Sequence, residues 1–335
     1  MSDANPPSPS RASTHVLRSH GFTALAPGPR LIVLGAVHGN ETCGTRAIER
    51  VLGELDSGAL RLVRGSLTLL PVTNPLAYAR ADRAGERNLN RRLRPNPAPQ
   101  DFEDRVANAL CPLLARHDAL LDLHSFHTAG EPFAMIGPND NAGPLEPFAR
   151  AAEEEALALR LGPRRLVEGW LEAYAQGVAQ RQVRAASGGP AEPAGDSDPA
   201  YGVGTTEYMR SVGGISITLE CGQHADPQAP EVAYRAIHAT LAQLGLVDAP
   251  APRPRKDVQL LKLVEVTDRF DEDDRFEREW ASFDPVAAGA LIGQRADGTA
   301  LRAPADGFIV FPNPQALPGS EWFYFAKASD RALRS

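Results

Sequence analysis

The chain carries four short apolar runs that each stop on a small or chemically active residue, and this pattern limits the fold more than anything else in the sequence. In "LIVLGAVHGNETCGT", residues 31–45, aliphatic residues run to Gly35 and are followed within six positions by His38 and Glu41. "GSLTLLPVTNP" ends on Asn74-Pro75, "ALLDLHSF" contains Asp122 and His124, and "ISITLECG" contains Glu220. Uninterrupted apolar runs of this length fit strands buried on both faces, as in parallel sheets. Between them, residues 42–55, 101–117, 146–160, 168–183 and 229–245 place apolar positions at helical spacing. Strands alternating with helices give an α/β fold with a mixed, mainly parallel sheet flanked by helices.

After "APAPRPRKD" at 249–257 the pattern changes to short strands with frequent Gly and Pro, such as "GALIGQR", "GFIVFPNP" and "EWFYFAKA". The expected organisation is therefore a disordered tail over 1–22, a catalytic domain over 23–250 and a small β-rich C-terminal domain over 251–335. Within the second part, the Gly-, Pro- and Ala-rich stretch 185–204 reads as a mobile loop.

The 335 residues are 43% hydrophobic, enough for a substantial core, and the formal charge of −7 argues against nucleic acid as the main partner. No run of eighteen apolar residues is present, so no membrane span is expected. Cys43, Cys111 and Cys221 are an odd set without CxxC spacing, which fits a reducing cytoplasm rather than a disulfide framework. Homo-oligomer formation is left open.

In parallel α/β sheets, sites collect beyond the C-terminal ends of the strands. There the chain delivers His38, Glu41, His124 and Glu220. Two imidazoles and a carboxylate are a common ligand set for one catalytic zinc ion, and a further carboxylate can serve as general base. Asp122 lies two residues before His124 on the same strand face, so it can orient a liganding histidine, either His124 or His38. Each residue alone also has a plain structural use, as a strand-end hydrogen bond, an arginine partner or a helix cap. His127 competes with His124 as a ligand, and His224 sits close after Glu220. The segment 74–97 carries Arg80, Arg83, Arg87, Arg91, Arg92 and Arg94. It reads either as a solvated helix face or as a basic loop that grips an anionic substrate, since guanidinium groups bind carboxylates bidentately.

"HGNE", "NP", "NLNR", "DLH" and "LECG", in this order, resemble the succinylglutamate desuccinylase/aspartoacylase family, within the zinc carboxypeptidase-like group, over roughly residues 30–330. The resemblance implies a zinc-dependent amidohydrolase acting on a small N-acylated amino acid. It implies zinc ligands His38, Glu41 and His124, the general base Glu220, and Arg83 polarising the scissile carbonyl. It also implies substrate-carboxylate binding by Asn90 and Arg91, with Arg210 as a further carboxylate-binding arginine. One departure stands out: the family pattern reads "DLNR", and this chain has Asn88 in the first position. A metallocarboxypeptidase acting on peptides, an esterase or deacetylase, and a non-catalytic binding protein are the rival expectations.

Overall fold

The computed structural model describes residues 15–186 and 198–334. Its strands are β1 (His20–Thr23), β2 (Arg30–Leu34), β3 (Ser66–Leu70), β4 (Ala119–Phe126), β5 (Phe133–Met135), β6 (Arg165–Glu168) and β7 (Ile215–Gln223). In the C-terminal part follow β8 (Gln259–Asp268), β9 (Arg275–Phe276), β10 (Asp284–Val286), β11 (Leu291–Gln294), β12 (Ala300–Arg302), β13 (Gly307–Val310) and β14 (Glu321–Ala328). The helices are α1 (Cys43–Ser57), α2 (Pro75–Arg80), α3 (Phe102–Leu114), α4 (Ala151–Ala158), α5 (Trp170–Ala186), α6 (Thr205–Ser211) and α7 (Ala229–Gln243).

Eleven strands form one sheet in the order β1-β3-β2-β4-β7-β5-β6-β8-β14-β13-β10, and β12-β11-β9 form a second, small sheet. The centre, β3-β2-β4-β7, is parallel throughout, as is β5-β6-β8. The expected mixed sheet flanked by helices is therefore present. Its period-two alternation divides the core cleanly. Leu31 and Val33 of β2 pack in one cluster with Ile48 and Val51 of α1 and Ala236 and Ile237 of α7. Ile32 and Leu34 pack on the opposite face with Val106 and Leu110 of α3 and Met209 of α6.

Three boundaries differ from the sequence expectation. The segment expected to be a tail contains β1, which pairs antiparallel with β3 as an edge strand too short to stand out in a hydropathy pattern. The stretch 185–204 begins inside α5 and ends in a 3-10 turn, Pro199–Gly202, while 187–197 lie outside the described residues. That turn is anchored by Arg92 and Leu93, whose backbone N–H groups donate to Tyr201 and Val203 carbonyls. Finally, the C-terminal strands continue the main sheet, because β8 pairs with β6 and carries β14, β13 and β10 outward. No helix among the described residues is long and apolar enough to cross a membrane.

The join between α5 and the C-terminal strands rests on a buried ion pair. Arg181 donates from Nε and Nη2 to the two carboxylate oxygens of Asp268 at 2.9 and 2.7 Å. Removing one member of such a pair strands a charge away from water. Arg181→Ala is expected to cost about 3–5 kcal/mol of stability, read as a lowered urea midpoint.

Candidate functional site

The loop after β2 turns sharply to carry the first two predicted ligands. Ala36 adopts a left-handed backbone (φ 46°), and the Thr73 and Asn74 N–H groups donate to the carbonyls of Gly35 and Ala36. Gly39 then passes so close to α2 that a Cβ there would lie 2.0 Å from the Ala77 carbonyl carbon. This contact explains the glycine in "HGNE". Gly39→Ala should push the loop off α2 and cost about 1–3 kcal/mol, measured as a fall in thermal midpoint.

His38, Glu41 and His124 meet at the strand ends, all buried, with one donor atom from each inside a 4.8 Å cluster. Glu41 is the hub. Its Oε1 lies 2.8 Å from His38 Nδ1 and its Oε2 lies 2.9 Å from His124 Nδ1. The Ser125 N–H and Arg83 Nη1 also donate to it at 3.1 Å each. Both imidazoles thus turn Nδ1 inward to Glu41 and Nε2 outward. His38 Nε2 is 3.0 Å from Asn88 Oδ1, and His124 Nε2 is 2.9 Å from Asp122 Oδ2. Asp122 is accordingly the partner of His124, and Thr205 Oγ1 donates to the same carboxylate oxygen.

Glu220 sits on β7 directly across from His124 in the parallel register. Burial pushes its carboxyl up to about 8; His124 and Arg83 oppose this, while Glu41 and Asp122 add to it. Its Oε2 is buried with no hydrogen-bond partner, a polar atom that a group bound in the pocket could satisfy. His124 is drawn well above its ordinary value: burial alone would lower it, and Asp122 and Glu41 outweigh burial. Glu41 goes the other way, because both histidines overcome its burial. The set suits a divalent ion such as zinc: two buried imidazole nitrogens and a carboxylate converge, Asn88 Oδ1 can hold the His38 tautomer, and the Asp122 carboxylate lies against His124.

The arginine-rich segment is a loop beyond residue 80, not a continuous helix. Its organiser is the buried Glu103 of α3, which accepts from Asn74 Nδ2 and from the N–H groups of Gly85, Glu86 and Arg87. Arg87 pairs with Asp101 and Asp104 at 2.7 and 2.8 Å and bonds the Asn88 and Arg91 carbonyls. These ties direct Arg83, Asn90 and Arg91 into one pocket with the histidines.

Eight of the nine residues singled out in the sequence line that pocket, and Asp122 stands behind His124. Arg91 is buried against Trp170 and Tyr174, with its Cζ 4.8 and 5.3 Å from their ring centres, and its Nη2 donates to Glu321 at 3.1 Å. Arg210 lines the pocket but has its donors engaged by Glu154 (3.1 Å), Glu146 (2.7 Å), Glu207 (3.4 Å) and the Ser216 carbonyl. His127 lines the pocket outside the ligand cluster, and His224 binds Ser125 Oγ at 2.8 Å. Sequence reasoning did not anticipate Asn88 as the partner of His38, or Glu321, Trp170 and Tyr324 in the pocket wall. Only the "NLNR" motif carried a signal, and it marked the position without its partner.

The family model for the succinylglutamate desuccinylase/aspartoacylase catalytic domain matches residues 27–242. The chain belongs to this family. No curated protein matches it significantly in sequence. Among solved structures, the succinylglutamate desuccinylase/aspartoacylase from Rhodobacter sphaeroides is 18% identical, with a TM-score of 0.68 covering 93% of this chain and 90% of that one. The ectoine utilization protein from Ruegeria pomeroyi is 19% identical (TM-score 0.67; 92% and 88% covered). An aspartoacylase family protein from Mesorhizobium loti is 20% identical (TM-score 0.63; 94% and 90% covered). These likenesses establish a shared fold that extends through the C-terminal strands.

Proposed function

We propose that this member of the family is a zinc-dependent hydrolase that cleaves the amide bond of a small N-acylated amino acid. The observation that carries the reading is the convergence of His38, Glu41 and His124 in one pocket with Glu220, which stands opposite His124 on the next strand. His38, Glu41 and His124 would hold one zinc ion per chain, and zinc supplies a Lewis acid that polarises a carbonyl and acidifies water. Glu220 accepts the proton of the attacking water and passes it to the departing amine; Arg83 favours its ionised form, and a bound cation would add to that pull. Arg83, partly exposed at the mouth, faces the developing oxyanion as a fixed positive charge. Asn90 and Arg91 take the substrate carboxylate. The C-terminal strands wall the pocket with Glu321 and Tyr324, which favours a small substrate over an extended peptide.

The test is zinc content and hydrolysis of a panel of N-acyl amino acids and a dipeptide. Glu220→Ala should keep one zinc per chain and lose about 10³-fold in kcat, whereas His38→Ala should lose both metal and turnover. Wild-type turnover by Glu220→Ala would refute the base assignment, and turnover of the dipeptide alone would move the protein to the carboxypeptidases.

Asn88 gives a separate readout. A neutral amide oxygen polarises the His38 ring less than a carboxylate would, so Asn88→Asp should tighten zinc about tenfold, measured by competition with a chromophoric chelator.

A further inference from the structure

We infer that the pocket selects N-acylated amino acids bearing a single carboxylate and a neutral or cationic remainder, and rejects those with a second acidic group. This rests on the deacylase reading above. It follows from which of the pocket's cations are already matched by the protein's own anions. Three arginines line the pocket: Arg83, Arg91 and Arg210. Arg210 is nearly sealed from solvent and carries three glutamates, with Glu154 and Glu146 at 3.1 and 2.7 Å and Glu207 at 3.4 Å. Its Nη2 is spent on the Ser216 carbonyl. A substrate carboxylate arriving there would meet an excess of negative charge rather than a receptor.

Arg91 keeps donors for one carboxylate, but Glu321 lies 3.1 Å from it and lines the same pocket. A substrate acid group set between them shares the arginine with a resident carboxylate. Glu321 Oε1 takes the arginine, and the glutamate remains partly open to the pocket. An ammonium or amide N–H of the substrate can therefore find an acceptor there. Next to it the Tyr324 hydroxyl is buried without a partner and lines the pocket; it can donate to or accept from a polar substituent, so the discrimination by charge rests on the glutamates. Arg83 in turn leans on Glu41 at 3.1 Å, and in the deacylase reading it belongs to the reacting carbonyl, so it is not free to take a second acid group. Like-charge juxtaposition is the ordinary means of excluding a wrong ligand.

The decisive comparison is isosteric. Calorimetric titration of the zinc-loaded Glu220→Ala protein with Nα-acetylglutamine, Nα-acetylornithine and Nα-acetylglutamate at pH 7 separates charge from shape. The glutamine and ornithine derivatives should bind at least about tenfold more tightly than the glutamate derivative. Adding Glu321→Gln should improve acetylglutamate, weaken acetylornithine and so narrow the gap. Acetylglutamate binding as tightly as acetylglutamine would overturn the inference and leave the deacylase reading standing. Binding of none of the three would also overturn it, and the wild-type turnover panel then judges the deacylase reading independently. Should Glu321→Gln fail to fold, the ranking of the two isosteric ligands decides alone.

Discussion

The structure depends on β4 carrying a charged group through the middle of the sheet. All eight residues of this strand are buried between β2 and β7. Asp122 and His124 are nonetheless polar, and an isolated charge at such depth would be prohibitive. Each is rescued by a neighbour that the topology brings to it. Asp122 sits against His124 Nε2 and Thr205, and His124 Nδ1 sits against Glu41. Parallel pairing puts the loop after β2 and the end of β7 on either side of the same histidine, so the buried charge and the candidate metal cluster are one arrangement.

A second buried carboxylate does the corresponding work for the loop. Glu103 has no exposure, and it gathers three consecutive backbone N–H groups together with the Asn74 amide. Fixing that backbone orients Arg83 toward Glu41 and, through the Arg87 ties, Arg91 toward the pocket. Leu89 and Leu93 meanwhile insert into the core on the α3 side. A loop rich in arginine is thereby held by apolar anchors and a hidden acid, which leaves its cations available for the site rather than for solvent.

Much of this was legible in the sequence, for identifiable reasons. The apolar runs gave the central strands, because both faces of β2, β4 and β7 are covered and period-two polarity disappears. Period-3.6 patterning gave α1, α3, α5 and α7 within a few residues. His38, Glu41, His124 and Glu220 were visible because strand ends collect sites and the motifs sit at those ends. What escaped was long-range pairing. Glu321 lies 230 residues from Arg91, and nothing local to "GSEWFYF" marks it as the partner of an arginine. β1, β5 and β6 escaped because three or four residues hold too little pattern. Arg210 was visible as an arginine but not as one ringed by glutamates, since Glu146 and Glu154 lie 64 and 56 residues away along the chain.

That last distinction changes what a motif arginine means. Arg83 and Arg210 carry the same charge and line the same pocket, yet their surroundings differ in kind. Arg83 is substantially exposed and leans on a single carboxylate, Glu41, which also faces both histidines. Arg210 is buried, its guanidinium spends bonds on Glu154, Glu146, Glu207 and a carbonyl, and burial raises Glu146 to about 7 despite the arginine beside it. A buried cation so surrounded supports the strand and helix it joins; a ligand would have to displace a carboxylate already in place. Arg91 stands between the two, stacked on Trp170 and paired once with Glu321. The electrostatic character of the pocket is therefore set by the glutamates that C-terminal strands and distant loops contribute, as much as by the arginines the motifs display.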